Sequence, residues 1–223
     1  MDKKVLFLIG SPKPKAESAS AFIENRFIKH MRNKSFELES INLAHIGKSD
    51  ELKKKLLESV SSNDVLIFIS PVYLDTPPSS VIKAMELIAE NIHLVNGPKT
   101  VAAVSVCGYP EALHNYTSLR IYKRFADDAG FVWSGGLAIG EGPAYVYAER
   151  IFSAIGLYGR LDKAASLVVH AITEENAIPK EAIELMEVSL IPNRLYTKVA
   201  ILSAIALAIK DGVWNFSDRP HLS

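Results

Sequence analysis

The sequence predicts an α/β fold: a parallel sheet of five strands with helices on both faces, followed by a helical C-terminal extension. Two runs, Val5–Ile9 and Val65–Ile69, are wholly apolar, as a strand covered on both faces requires. Each such run ends in a loop of Gly, Pro and Ser and is followed by apolar residues at helical spacing, which is the signature of repeated βα units joined by right-handed crossovers. After Ala144 no further strand pattern is present and helical patterns dominate.

The elements follow in order. Val5–Ile9 runs into Gly10-Ser11-Pro12 and a loop rich in hydroxyls and lysines, Ser11, Lys13, Lys15, Ser18 and Ser20. Ala19–Met31 then places Phe22, Ile23, Phe27, Ile28 and Met31 on one face of a helix. Phe36–Leu43 alternates apolar and polar residues and predicts an edge strand. Asp50–Val60 is a charged helix with Ser49 as its N-cap. Val65–Ile69 is the second buried strand, followed by the loop SPVYLDTPPSS and a helix over Val81–Ile92. Lys99–Val106 is the next strand, ending in CGYPE ahead of a helix from about Ala112 to Ala129. Phe131–Ile139 completes the sheet and ends at GEGP. Helical patterns then cover about 146–158, 161–176, 179–190 and 193–210, with Pro179 and Pro192 in first-turn positions. The boundary falls near residue 143: a sheet domain over 1–143 and a helical extension over 144–223 packed on it. The stretch Val199–Ile209 is apolar all round and, at 11 residues, spans roughly half a bilayer core. A helix buried in a core or a dimer interface is the better reading.

Composition narrows the function. With 25 basic and 25 acidic residues among 223 the formal net charge is zero, so a nucleic-acid partner, which calls for a basic excess, is not indicated. The single cysteine excludes an internal disulfide framework and a multi-thiolate metal site. The six histidines are scattered and form no pair at metal-ligand spacing. MDKK followed by five apolar residues is too short for a signal peptide; a cytoplasmic protein without a transmembrane segment is expected.

In a doubly wound sheet, ligands gather at the carboxyl ends of the strands, so the loops 10–20, 70–78 and 107–112 are expected on one rim. The first lies before a helix whose leading N–H groups lack intrahelical partners and carry partial positive charge, a natural place for a phosphate. It is neither a P-loop nor a G-x-G-x-x-G dinucleotide fingerprint. Gly10-Ser11-Pro12-Lys13 with Ser18-Ala19-Ser20 instead resembles the phosphate loop of the flavodoxin-like NAD(P)H-dependent FMN reductases and quinone reductases. Ser70-Pro71-Val72-Tyr73-Leu74-Asp75 before Pro78-Ser79-Ser80-Val81-Ile82-Lys83 resembles that family's P-x-Y segment, and Cys107-Gly108-Tyr109-Pro110-Glu111 resembles its G-Y-P-E turn.

The resemblance covers residues 4 to about 142. It implies a flavodoxin-like strand order 2-1-3-4-5 and non-covalently bound FMN. It places Ser11, Pro12, Lys13, Ser18, Ala19 and Ser20 around the phosphate. Pro71, Val72, Tyr73, Leu74, Cys107, Gly108 and Tyr109 would lie along the flavin. Lys13 and Lys15 both remain open as the ammonium that meets the phosphate. Tyr73 is as readily a cap on its strand end, and Cys107 reads as a small buried hydrophobe rather than a nucleophile. Tyr73, Tyr109 and His114 are candidates for the substrate side of the ring. The resemblance further implies NAD(P)H as co-substrate, a quinone, flavin, nitro or azo compound as acceptor, and a homodimer, while assigning no catalytic side chain. A flavodoxin-type one-electron carrier and a non-catalytic flavodoxin-like module are the alternatives. The neutral charge and the missing T/S-x-T-G-x-T loop speak against the carrier.

Overall fold

The computed structural model describes residues 2–32, 34, 36–147 and 158–214. Two compact units divide the chain, residues 1–189 and 190–223. In the first, β1 (Lys3–Ile9), β2 (Phe36–Asn42), β3 (Val65–Pro71), β4 (Thr100–Val106) and β5 (Val132–Ile139) form one sheet in the order β2-β1-β3-β4-β5. All four strand pairs are parallel. The helices are α1 (Ala19–Met31), α2 (Asp50–Ser62), α3 (Ser79–Glu90), α4 (Tyr116–Asp128), α5 (Gly142–Tyr147), α6 (Gly159–Thr173) and α7 (Lys180–Glu187). The second unit holds α8 (Asn193–Lys210). The helix predicted over 146–158 falls largely on 148–157, outside the described residues.

Alternation along the buried strands serves two cores. Leu6, Leu8, Leu66, Phe68, Val101 and Ala103 face a cluster completed by Leu56 and Val60 of α2, Val81 and Ile88 of α3, and Tyr122 and Phe125 of α4. Val5, Phe7, Ile67 and Ile69, at the intervening positions, are 0% exposed. Helices α1 and α6 contribute Ile23, Phe27, Met31, Val168, Val169 and Ile172 to the buried set. Fully burying each such side chain contributes roughly 1.5–3 kcal/mol against conformational entropy, so the wholly apolar strands are where the fold is secured.

The edges are managed differently. In β2, Ile41 is the buried residue and the rest is half-exposed or exposed, as the alternation predicted. Along the outer side of β5, the Ile178 N–H donates to the Ser134 carbonyl at 2.6 Å and the Ser134 hydroxyl donates to the Asn176 carbonyl at 3.0 Å. The link between α6 and α7 therefore caps part of that edge. The register of β4 and β5 shifts between Val101 and Ala102.

Helix ends follow the residues present. The Ser18 and Ser49 hydroxyls accept from Ala21 N and Leu52 N at 3.2 and 3.1 Å; both are N-caps, Ser49 in the predicted place. Helix α3 starts at Ser79 rather than Val81 because Pro78 supplies the first-turn geometry. A 3-10 turn, Ala112–Asn115, precedes α4. Pro179 and Pro192 sit at the caps of α7 and α8, one residue before the predicted first turn.

Candidate cofactor site

The carboxyl ends of β1, β3 and β4 open onto one cleft of about 200 Å³. Its walls are Ser11, Lys13, Ala19 and Ser20 from the first loop, Pro71, Val72 and Tyr73 from the second, and Val106, Cys107 and Gly108 from the third. The three loops that the sequence placed on one rim thus meet. Glu17, Gly142, Pro143 and Val146 also line it. The last three arise from GEGP and α5, whose approach is close: a Cβ on Gly142 would stand 2.7 Å from Val106 Cγ1 and 3.1 Å from the Cys107 carbonyl.

The first loop is built to leave donors free. Ser18 Oγ satisfies Ala21 N, and Phe22 N bonds the Ser18 carbonyl at 2.9 Å. The Ala19 and Ser20 N–H groups, at the cleft, have no intramolecular acceptor among the described residues. Ser20 is 2% exposed, and its hydroxyl makes no bond to a described residue. Two N–H groups at a helix N-terminus, a hydroxyl and the Lys13 ammonium form a donor set suited to a phosphate dianion. From behind, Asn42 Nδ2 donates to the Ser11 carbonyl at 3.2 Å while Asn42 Oδ1 accepts from Ala44 N at 2.8 Å. The end of β2 thereby fixes the loop. Gly10 permits it: a Cβ there would meet Val81 Cγ2 at 2.4 Å and Ser70 Cβ at 2.7 Å.

The second loop turns back through Leu74 and Asp75, both with positive φ (49° and 64°). Tyr73 N bonds Thr76 O at 2.9 Å, and Thr76 N bonds Tyr73 O at 3.2 Å. A leucine in the left-handed region is strained, and this one is 99% exposed. The third loop is anchored by buried Asn115, whose amide donates to Ile139 O at 3.1 Å, Ala112 O at 3.0 Å and Cys107 Sγ at 3.3 Å. Cys107 is buried, and its thiol lies 3.5 Å from the Tyr109 carbonyl. Burial raises its pKa, outweighing those hydrogen bonds, so the thiol stays protonated and is a poor nucleophile near neutrality. Beside the cleft, sharing Val72, Cys107 and Gly108 with it, lies a second recess of about 290 Å³. There the Tyr109 and His114 rings are 4.7 Å apart, and His114 Nδ1 is 3.9 Å from Asp75 Oδ1.

Of the residues singled out from sequence, Ser11, Lys13, Ala19, Ser20, Pro71, Val72, Tyr73, Cys107 and Gly108 line the cleft. Leu74 and Tyr109 line the adjoining recess. Ser18 caps α1 and lines a different cavity, while Pro12 lines neither the cleft nor the recess. No helix among the described residues is long and apolar enough to cross a membrane, and no cluster of metal-ligating side chains is present among them.

A doubly wound 2-1-3-4-5 sheet with an anion-ready loop after β1 and an apolar wall from the next two loops defines a flavodoxin-like mononucleotide-binding protein. The model of the NADPH-dependent FMN reductase family matches residues 3–120, just over half of the chain. The chain belongs to that family, whose cofactor is FMN and whose reductant is a nicotinamide nucleotide. Similar solved structures include an NADH:FMN oxidoreductase (EMOB) in its apo form, at TM-score 0.57 and 11% identity over 85% of this chain and 96% of that one. The Trp repressor binding protein of Bacillus subtilis superposes at TM-score 0.53 and 11% identity, over 73% and 95%. An FMN-dependent NADH-azoreductase of Bacillus anthracis in complex with FMN superposes at 0.50 and 13%, over 75% and 99%. At these identities the superpositions speak to the fold. A search of the curated proteins gives no match.

Proposed function

We propose that the chain holds FMN in the cleft at the ends of β1, β3 and β4 and uses it to move reducing equivalents from NAD(P)H to a small-molecule acceptor: a quinone, a free flavin, or a nitro or azo compound. The observation that carries this is the pairing, within one cleft, of unengaged donors (Ala19 N, Ser20 N and the Ser20 hydroxyl) with an apolar wall (Pro71, Val72, Val106). That is the polarity of a phosphorylated aromatic cofactor. Ser11, Lys13, Ser18, Ala19 and Ser20 are assigned to the phosphate side, Ser18 by shaping the turn, and Pro12 sets the bend of the same loop. Pro71, Val72, Tyr73, Leu74, Cys107, Gly108 and Tyr109 are assigned to the flavin and its approach.

Bound FMN supplies hydride acceptance from the nicotinamide and onward delivery of electrons. The protein's part is to bind, orient and exclude. The α1 N-terminus fixes the anionic end, the Pro71–Val72 segment keeps one wall dry, and Gly108, with no atom within 4 Å of a built Cβ, leaves room for close backbone approach. The Tyr109–His114 recess is where the acceptor would stack. A homodimer located in the cytoplasm completes the reading. Residues 1–143 would be the FMN-binding domain, with the helices beyond it an extension, and the Val199–Ile209 stretch of α8, which has no buried residue, a surface to be covered.

Purified protein mixed with FMN and desalted tests this. Retained flavin absorbance that NADPH or NADH bleaches without a mediator is the expected result. Flavin retained but not bleached would favour the one-electron carrier, and no retained flavin would overturn the assignment.

A further inference from the structure

The first loop carries two ammonium groups that the structure treats differently. Lys13 borders both the cofactor cleft and a second cavity of about 200 Å³ behind the loop, whereas Lys15 borders only the second. That rear cavity lies between the loop, α1 and the end of β2, with Ser18, Ser40 and Asn42 among its walls. Glu24 also lines it. Glu24 is 4% exposed, and among the described residues no hydrogen bond or ion pair reaches its carboxylate. A carboxylate with so little access to water gains when a cation joins it.

The other charges on α1 are engaged elsewhere. Arg26 lies over the Phe22 and Tyr158 rings at 4.7 and 4.9 Å. Arg26, Lys29 and His30 gather within 4.0 Å of Asp162 on α6. Ser40 and Asn42 bring no charge. The cations that share the cavity with Glu24 are Lys13 and Lys15. An anion in the cleft draws Lys13, which reaches it; Lys15 does not border that cleft.

We propose a division of labour that rests on the FMN assignment above. Lys13 serves the cofactor phosphate, and Lys15 folds back onto Glu24, pinning the 11–18 loop in its phosphate-binding shape. Glu24 is then a positioning residue that never touches the cofactor.

FMN and riboflavin dissociation constants, read from fluorescence quenching, test this in wild type, Lys15→Ala, Glu24→Gln, the double variant, Lys13→Ala and Lys13→Ala/Glu24→Gln. Lys15→Ala and Glu24→Gln should each weaken FMN about tenfold, and the double variant no further, because partners in one contact are coupled. Lys13→Ala should multiply with Glu24→Gln. Riboflavin, which has no phosphate, should bind the Lys15 and Glu24 variants as it binds wild type; general damage to the fold would weaken both flavins. Independent, multiplying effects of Lys15→Ala and Glu24→Gln would overturn the pairing. So would an unchanged FMN constant in Lys15→Ala, a variant of an exposed residue that keeps the test available should Glu24→Gln not fold. Wild type that binds neither flavin removes the FMN assignment and this proposal together, a pattern distinct from wild type that binds FMN without the coupling.

Discussion

Substituting Gly10 by alanine tests how tightly the cofactor loop is bolted to the sheet. The added Cβ would lie 2.4 Å from Val81 Cγ2 and 2.7 Å from Ser70 Cβ, where ordinary contact is 3.4–4 Å. Neither neighbour can yield easily. Val81 is fully buried at the start of α3. Ser70 is fully buried in β3, with its hydroxyl held 2.7 Å from the Tyr122 hydroxyl. Overpacking a filled site costs about 1–3 kcal/mol, and two fixed contacts put this variant at the upper end. For a chain of this size that corresponds to a melting temperature lower by roughly 6–12 °C. Thermal unfolding followed by circular dichroism reads it directly. Gly108→Ala is the matched control: its Cβ meets nothing within 4 Å, so its stability should stay within about 0.5 kcal/mol of wild type. Adding Val81→Ala to Gly10→Ala should recover part of the loss by removing the nearer clash. If Gly10→Ala melts within about 2 °C of wild type, the reasoning that Ser70 and Val81 close this corner is wrong.

Other outcomes follow from single contacts. Ser18→Ala removes the cap on Ala21 N and should cost about 1 kcal/mol, visible as a shift of the urea midpoint. Tyr122→Phe strands the buried Ser70 hydroxyl, and a loss of about 1–3 kcal/mol is expected; Ser70→Ala in that background should restore part of it. Burial holds the Cys107 thiol and the Tyr122 and Tyr145 hydroxyls above their ordinary pKa values. The folded chain therefore keeps protons that the unfolded chain releases, and stability should fall as pH rises through the ordinary thiol and phenol ranges. A thiol reagent at pH 7.5 should leave Cys107 unmodified until denaturant is added, and the share of tyrosinate absorbance that belongs to the buried Tyr122 and Tyr145 should appear only with alkaline unfolding. Gly108→Val should leave the melting temperature nearly unchanged yet abolish FMN retention on desalting, and full retention would remove Gly108 from the cofactor wall.

Particular residues explain what could be read from the chain. Five strands were legible because Val5–Ile9 in β1 and Val65–Ile69 in β3 are apolar without interruption and β2 alternates, the two patterns that full and one-sided burial impose. Helix starts shifted by a residue or two wherever Pro and Ser set the first turn, as at Pro78-Ser79, since those residues carry no apolar period. The three site loops were legible as breaks after buried strands. The fourth contributor, Gly142, Pro143 and Val146, was not: GEGP read as a strand end, and only the closing of α5 over Val106 and Ala19 brings it to the cleft. Glu24 escaped as well. On a helical pattern a glutamate reads as solvent-facing, and its burial depends on the loop and β2 closing over it, a tertiary fact with no local signal.

The placement of β5 bears on how the chain can be cut. Residues 3–120 match the family and end before β5 begins, yet β5 pairs with β4 from Thr100 to Val106. A fragment ending there would bare a row of unpaired N–H and C=O groups along TVAAVSV, an apolar border that invites strands from other molecules. The Asn176–Ile178 segment then shields Ser134 on the far side of β5 in turn. The stretch beyond the family match thus works as a seam guard against self-assembly, and the shortest fragment that should stay monodisperse runs through α7.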